Sequence, residues 1–164
     1  MTLRLPEVNV KRIKELGVDV ESKLIDLILQ GLSLDPEEEA EAHLELAEKF
    51  LEDGRRLVDE DPTQASEKLY KAVEECIKAL ATHLGLKDII EKVGERGRWT
   101  VTELEKAVEA ESDRIGRWIE DVWAHAWVLH VLGFHEAKLD SEAVKRRLSY
   151  VEKIVEETRK IIGR

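Results

Sequence analysis

The sequence holds one cysteine, three prolines, one methionine and few aromatic residues, 5% of 164. A lone Cys76 excludes an internal disulfide and any cysteine-based metal site, so the chain must fold on its own apolar core and reads as a cytoplasmic protein. Three prolines and nine glycines exclude a collagen-like or low-complexity chain. No apolar run approaches the ~18 residues of a membrane span, and no basic-then-apolar leader is visible, so no membrane partner is expected. Amides are scarce too: Asn9 is the only Asn, and Gln30 and Gln64 are the only Gln, against abundant Glu, Lys and Arg. That is a bias of heat-adapted proteins. Chemical motifs are missing as well. There is no Gly-x-Ser-x-Gly elbow, no Walker loop, no dinucleotide glycine fingerprint and no Glu-x-x-His pair of a helical di-iron site.

What is present is a chain 43% hydrophobic and 38% charged, long enough to bury roughly 70% of its unfolded surface. Its net charge of −10 is concentrated: residues 35–61 carry 12 acids against 3 bases, and the remainder is close to neutral. An acidic chain of this kind does not bind nucleic acid broadly, although a local basic patch is allowed.

Helical period runs through nearly every segment. Asp35-Pro36-Glu37-Glu38 supplies a capping carboxylate, a first-turn proline and acids facing the helix dipole, and opens a helix to about residue 59. Ala40, Leu44, Ala47, Leu51, Leu57 and Val58 mark its apolar face. Asp61-Pro62 repeats the signal for a helix to about Leu84, ended by Gly85. This helix carries a stripe of Leu69, Val73, Cys76 and Leu80 and a seam of Ala65, Ala72 and Ala79 where another helix approaches closely. Residues 86–99, with Gly94 and Gly97, read as a loop with one helical turn at most. The Thr100-Val101-Thr102-Glu103 capping box opens a short helix to about Glu109, and a longer one follows over 112–132, ended or kinked at Gly133. Asp140-Ser141 caps the last helix, with Val144, Leu148, Val151, Val155 and Ile162 as its stripe. The expected fold is therefore all-α: an antiparallel up-down four-helix bundle over residues 35–164 with a short N-terminal appendage, residues 1–34. In the appendage Thr2-Leu3-Arg4-Leu5-Pro6 alternates like a short strand, and two short helices follow, broken at Gly17.

Candidate chemistry gathers on the helix rich in tryptophan. Trp118 lies on its main apolar face, while Trp123, Trp127, His130 and Phe134 form a second stripe, which suits a central helix or a dimer face. His125, His130 and His135 recur every five residues, a rotation of about 140° per step on an α-helix, which spreads them around it. No metal site and no cofactor is therefore expected, and Cys76 on an apolar stripe is an inert thiol. The candidate ligand site is Trp127, His130, His135 and Glu136, with Arg117 on the same helix.

The string Pro-Thr-Gln-Ala-Ser-Glu-Lys-Leu-Tyr-Lys-Ala-Val-Glu-Glu-Cys-Ile-Lys-Ala-Leu at 62–80 resembles the second main helix of HEPN-type bundles, and in particular of the archaeal PaREP family. Residues 44–51 fit that family's first helix, and Leu129-His130-Val131-Leu132-Gly133-Phe134-His135-Glu136-Ala137 is similar to its C-terminal Leu-His-x-x-x-Phe-His/Tyr-Glu block. The resemblance implies a HEPN-like, often dimeric bundle and no particular activity. HEPN ribonucleases carry Arg, four to six residues, then His. Here Arg117 and His125 are separated by seven, and neither His130 nor His135 has an Arg at the required distance, so no catalytic residue is assigned.

The expected function is a non-enzymatic homodimeric module binding a protein partner or a nucleotide or RNA ligand. Two alternatives stand beside it: a metal-independent ribonuclease using His125 or His130 with Arg114 or Arg117, and a DNA-binding regulator through residues 1–34, which resemble a ribbon-helix-helix segment presenting Thr2 and Arg4.

Overall fold

The computed structural model describes residues 6–15 and 20–163. It divides into two compact units, Met1–Leu34 and Asp35–Arg164. Among the described residues every regular element is helical. Among the described residues no helix is long and apolar enough to cross a membrane.

The first unit holds α1 (Glu7–Glu15) and α2 (Val20–Leu32). The alternating stretch read as a strand, Pro6 apart, and the break at Gly17 lie outside the described residues.

The second unit contains six α-helices, where four main ones were expected: α3 (Pro36–Leu57), α4 (Pro62–His83), α5 (Lys87–Arg96), α6 (Val101–Ile115), α7 (Trp118–Val128) and α8 (Ser141–Ile162). A π-helical segment, Leu129–His135, continues α7. The caps act as their sequences foretell. The Asp35 carboxylate accepts from the backbone of Glu37 and Glu38 at 3.0 Å, and Glu38 reaches back to the Asp35 amide. Asp61 and Asp140 accept from Gln64 and Ala143.

Helix α4 lies at the centre and packs on α3, α8, the π segment, α6, α7 and α5. From Ala65 to Thr82 almost every residue is buried, including Glu74, Glu75 and Lys78. The sequence offered the tryptophan helix as either a central helix or a dimer face; the central place in this unit belongs to α4. Helices α3, α4, α7 with its π segment and α8 run antiparallel in succession, and α8 runs antiparallel to α3, which leaves α4 and α8 parallel. A Cβ on Gly54 would sit 2.6 Å from Leu69 Cδ2, and His43 meets Glu75, so falling numbers on α3 face rising numbers on α4. Across α3 and α8 the ion pairs Asp59–Lys145, Arg55–Glu152 and Glu48–Arg159 step in opposite directions. Glu67–His130 and Tyr70–Trp123 do the same for α4 against α7 and the π segment, as do Lys153 over Trp118 and Tyr150 on His125 for α8 against α7.

Two boundaries depart from the sequence reading. Residues 87–96 are helix because Leu86, Ile89, Ile90 and Val93 fall at i, i+3, i+4 and i+7, and an interior Gly94 costs only about 1 kcal/mol. Helix α6 runs on past Glu109 because Ala107, Val108, Glu111 and Ser112 are buried on one face. The break comes at Gly116, whose φ of 142° suits glycine alone.

Candidate functional site

In an α-helix residues five apart point in different directions. The π segment has a wider turn, and it sets His130 and His135 side by side with their Nε2 atoms 3.1 Å apart. The sequence expectation that these two histidines spread around a helix is overturned by that one turn. Gly133 allows it: a Cβ there would lie 2.3 Å from Ser66 Oγ and 2.5 Å from Ser66 Cβ, so only glycine lets the segment press against α4.

On its other side His130 Nδ1 lies 2.8 Å from Glu67 Oε2 of α4. A carboxylate only accepts, so with both imidazoles neutral His130 donates through Nδ1–H and its Nε2 accepts from His135 Nε2–H. The result is a Glu67–His130–His135 line that runs from half-buried carboxylate to exposed imidazole. Tyr70 stacks on the His130 ring at 4.1 Å, and Trp127 and Phe134 flank it at 5.5 and 6.5 Å. Burial, with the nearby Glu74 and Glu67 charges, pushes the Tyr70 phenol far up, so it stays un-ionised.

Trp127 is 37% exposed and lines a groove of about 510 Å³ together with Trp123, Glu105, Glu109 and Glu120. Trp123 is buried and donates its indole N–H to Glu105 at 2.7 Å, which fixes one wall. The groove is thus aromatic and acidic together.

Three of the five expected ligand residues, Trp127, His130 and His135, come together. Glu136 is exposed just past the π segment. Arg117 sits at the opposite end of α7, 89% exposed and paired with Glu120. The two arginines named for ribonuclease chemistry are engaged elsewhere: Arg114 donates to the Leu84 carbonyl and Arg117 holds Glu120, while His125 stacks on Tyr150 at 3.7 Å. Burial, with Arg147 nearby, holds the His125 pKa down. Glu67 and Tyr70 come from a different helix, and no local pattern links them to these histidines; the i, i+5 histidine spacing is the one sequence signal of a π turn here.

A second charged group lies deeper. His43 Nδ1 and Glu75 Oε2 are 2.6 Å apart, and the other Glu75 oxygen takes the Lys78 ammonium at 2.8 Å. Glu74 joins Lys78 and Lys71. Burial disfavours the His43 imidazolium, but Glu39 at 3.9 Å and Glu75 outweigh it and raise its pKa to about 9. Burial likewise opposes ionised Glu74, yet Lys78 and Lys71 bring it to about 2. Glu111 is different: fully buried, with neither carboxylate oxygen hydrogen-bonded, it has a pKa pushed well up by desolvation. Burial also pushes up the Cys76 thiol, which is thereby unreactive.

The model of the archaeal PaREP1/PaREP8 family matches residues 38–155. A crystal structure of a protein from Sulfolobus solfataricus is 38% identical, covers 77% of this chain and 98% of its own, and superposes with a TM-score of 0.62. A solution structure of the same target gives 38% identity, 75% and 90% coverage and a TM-score of 0.57. No curated protein matches the chain significantly.

Proposed function

This chain belongs to the archaeal PaREP1/PaREP8 family, and on that premise we propose that it is a non-enzymatic interaction module, homodimeric and HEPN-like, that takes a basic segment of a protein partner in the groove beside Trp127. The HEPN-like reading treats α3, α4, α7 with its π segment, and α8 as an up-down four-helix bundle, with α5 and α6 inserted between its second and third members; the antiparallel neighbour contacts support it. The lone buried thiol and the near absence of Asn and Gln suit the cytoplasm of a heat-adapted archaeon.

The observation that carries the function is the half-open indole of Trp127 at the rim of a groove bearing Glu105, Glu109 and Glu120. An arginine or lysine finds there both an aromatic face and opposite charge, and such anchors dominate interface energies. The groove's three carboxylates outnumber the rim cations Lys106 and Arg117, which pair with Glu109 and Glu120, so a basic partner is favoured over a phosphate.

The test is tryptophan fluorescence on the purified chain, titrated with an arginine-rich peptide and, separately, with AMP and a short RNA. Saturable quenching by the peptide, weakened by Trp127→Ala and by Glu109→Gln and by added salt, is expected. Quenching by AMP or RNA but not by the peptide returns the site to a nucleotide ligand, and no response to any of them overturns the groove as a site. Native mass spectrometry of the same sample checks the dimer; a monomer at micromolar concentration removes it.

A further inference from the structure

We propose that His130 and His135 together hold one borderline transition-metal ion, of the class of Zn²⁺, Co²⁺, Ni²⁺ and Cu²⁺. The inference is independent of the groove reading, because it uses other atoms and needs no partner.

The geometry comes first. A Zn–N bond is about 2.0–2.1 Å, so two ring nitrogens 3.1 Å apart subtend an angle of about 100° at a shared ion, between octahedral and tetrahedral values. The ring centroids are 4.5 Å apart with planes at 82°, too close for the rings to meet head-on along the N···N line. The backbone comes second. π turns are rare inside helices and concentrate at functional sites, and this one depends on Gly133 lying where any side chain would strike Ser66. Its effect is to place two imidazoles side by side that an α-helix would separate.

The carboxylate is the third element. Glu67 on His130 Nδ1 is the partner that metal-ligating histidines use on their other nitrogen: it fixes the tautomer and turns the Nε2 lone pair outward. Tyr70, stacked on the same ring, holds its plane. When the ion enters, the proton between the two Nε2 atoms moves to His135 Nδ1, and both imidazoles remain neutral ligands. His135 is exposed, so the remaining coordination positions are open to water. Imidazole donors select the borderline ions over Mg²⁺ or Ca²⁺. Within residues 35–163 no third His, Cys or carboxylate converges on the pair, so the site binds more weakly than a four-ligand structural zinc.

The experiment is calorimetric titration of the metal-free full chain with Zn²⁺, repeated with Co²⁺ while the visible absorption is followed, with no peptide or partner present. One ion per chain is expected. Saturable binding should be lost in His135→Ala and in His130→Ala and weakened about 10–100-fold in Glu67→Gln, which keeps both ligands. It should be unchanged in His125→Ala. Circular dichroism confirms that each variant is folded, and His135→Ala, at an exposed position, keeps the result interpretable should His130→Ala unfold. No saturable binding, or binding that survives His130→Ala/His135→Ala, overturns the proposal and leaves the groove reading untouched.

Discussion

Helix α4 pairs with two histidines through carboxylates eight residues apart, Glu67 with His130 at 2.8 Å and Glu75 with His43 at 2.6 Å. The contacts are almost the same; the surroundings are not. His43 and Glu75 are 2% and 0% exposed, whereas His130 and Glu67 are 19% and 16% exposed. In the dry pair Glu75 uses both oxygens, one for His43 and one for Lys78, and the opposite charges hold each other ionised. In the wetter pair the carboxylate holds one nitrogen of His130 and the second nitrogen faces another imidazole that opens to solvent. The same chemistry fastens a core where water is excluded and builds a candidate site where it is admitted.

The contrast breaks first at Glu75. Removing one member of a buried pair strands its partners, so Glu75→Ala should cost about 3–5 kcal/mol in urea unfolding. The pH dependence belongs to the same pair. His43 has a folded-state pKa raised to about 9, so its contribution is complete below the unfolded value near 6.5 and is lost as pH rises through 9. His43→Gln should therefore be less stable near pH 6 and lack that alkaline decline; a decline of unchanged slope assigns it elsewhere. Next comes Gly133→Ala, which forces a methyl into Ser66 and should cost about 1–3 kcal/mol as an overpacked contact. Part of that loss should return in Gly133→Ala/Ser66→Gly, measured by thermal melts.

Glu111 sharpens the comparison as a dry carboxylate with no cation. Because its folded pKa is raised, it holds a proton that the unfolded chain releases, and stability falls as pH rises above the unfolded value of 4.5. Glu111→Met should stabilise by about 1–3 kcal/mol at neutral pH, the cost of an unsatisfied buried polar group, and by less at pH 4. The smallest effect is expected at Glu67. Glu67→Gln should change stability by no more than about 1 kcal/mol, since one partly wet hydrogen bond is at stake. A loss as large as that of Glu75→Ala would erase the distinction between the pairs.

Much of the scaffold was legible. Asp35-Pro36, Asp61-Pro62 and Asp140-Ser141 mark three helix starts within a residue, because caps act on the backbone next to them and need no tertiary partner. The Ala65, Ala72 and Ala79 seam is fully buried, as small residues at close helix approaches are. At residues 86–96 the glycines Gly94 and Gly97 suggest a loop, whereas the apolar period of Leu86, Ile89, Ile90 and Val93 decides for a helix. Of the site, Trp127, His130 and His135 were visible as aromatic and imidazole groups on one segment. Arg117 was grouped with them only by its place on that helix.

By itself the sequence determined the all-helical class, the main helix starts and the identity of three residues at the candidate site, since these follow from local capping, turn chemistry and period. Tertiary structure alone decided that α4 is central, that Glu67 and Glu75 each find a histidine, and that one of those pairs is dry and the other half wet. The π turn was decided there too, because pressing Gly133 against Ser66 can outweigh the regular helix only once α4 is in place. Burial, register and helix phase are properties of packed neighbours, and Glu67 and His130 become neighbours only across 63 residues of folded chain.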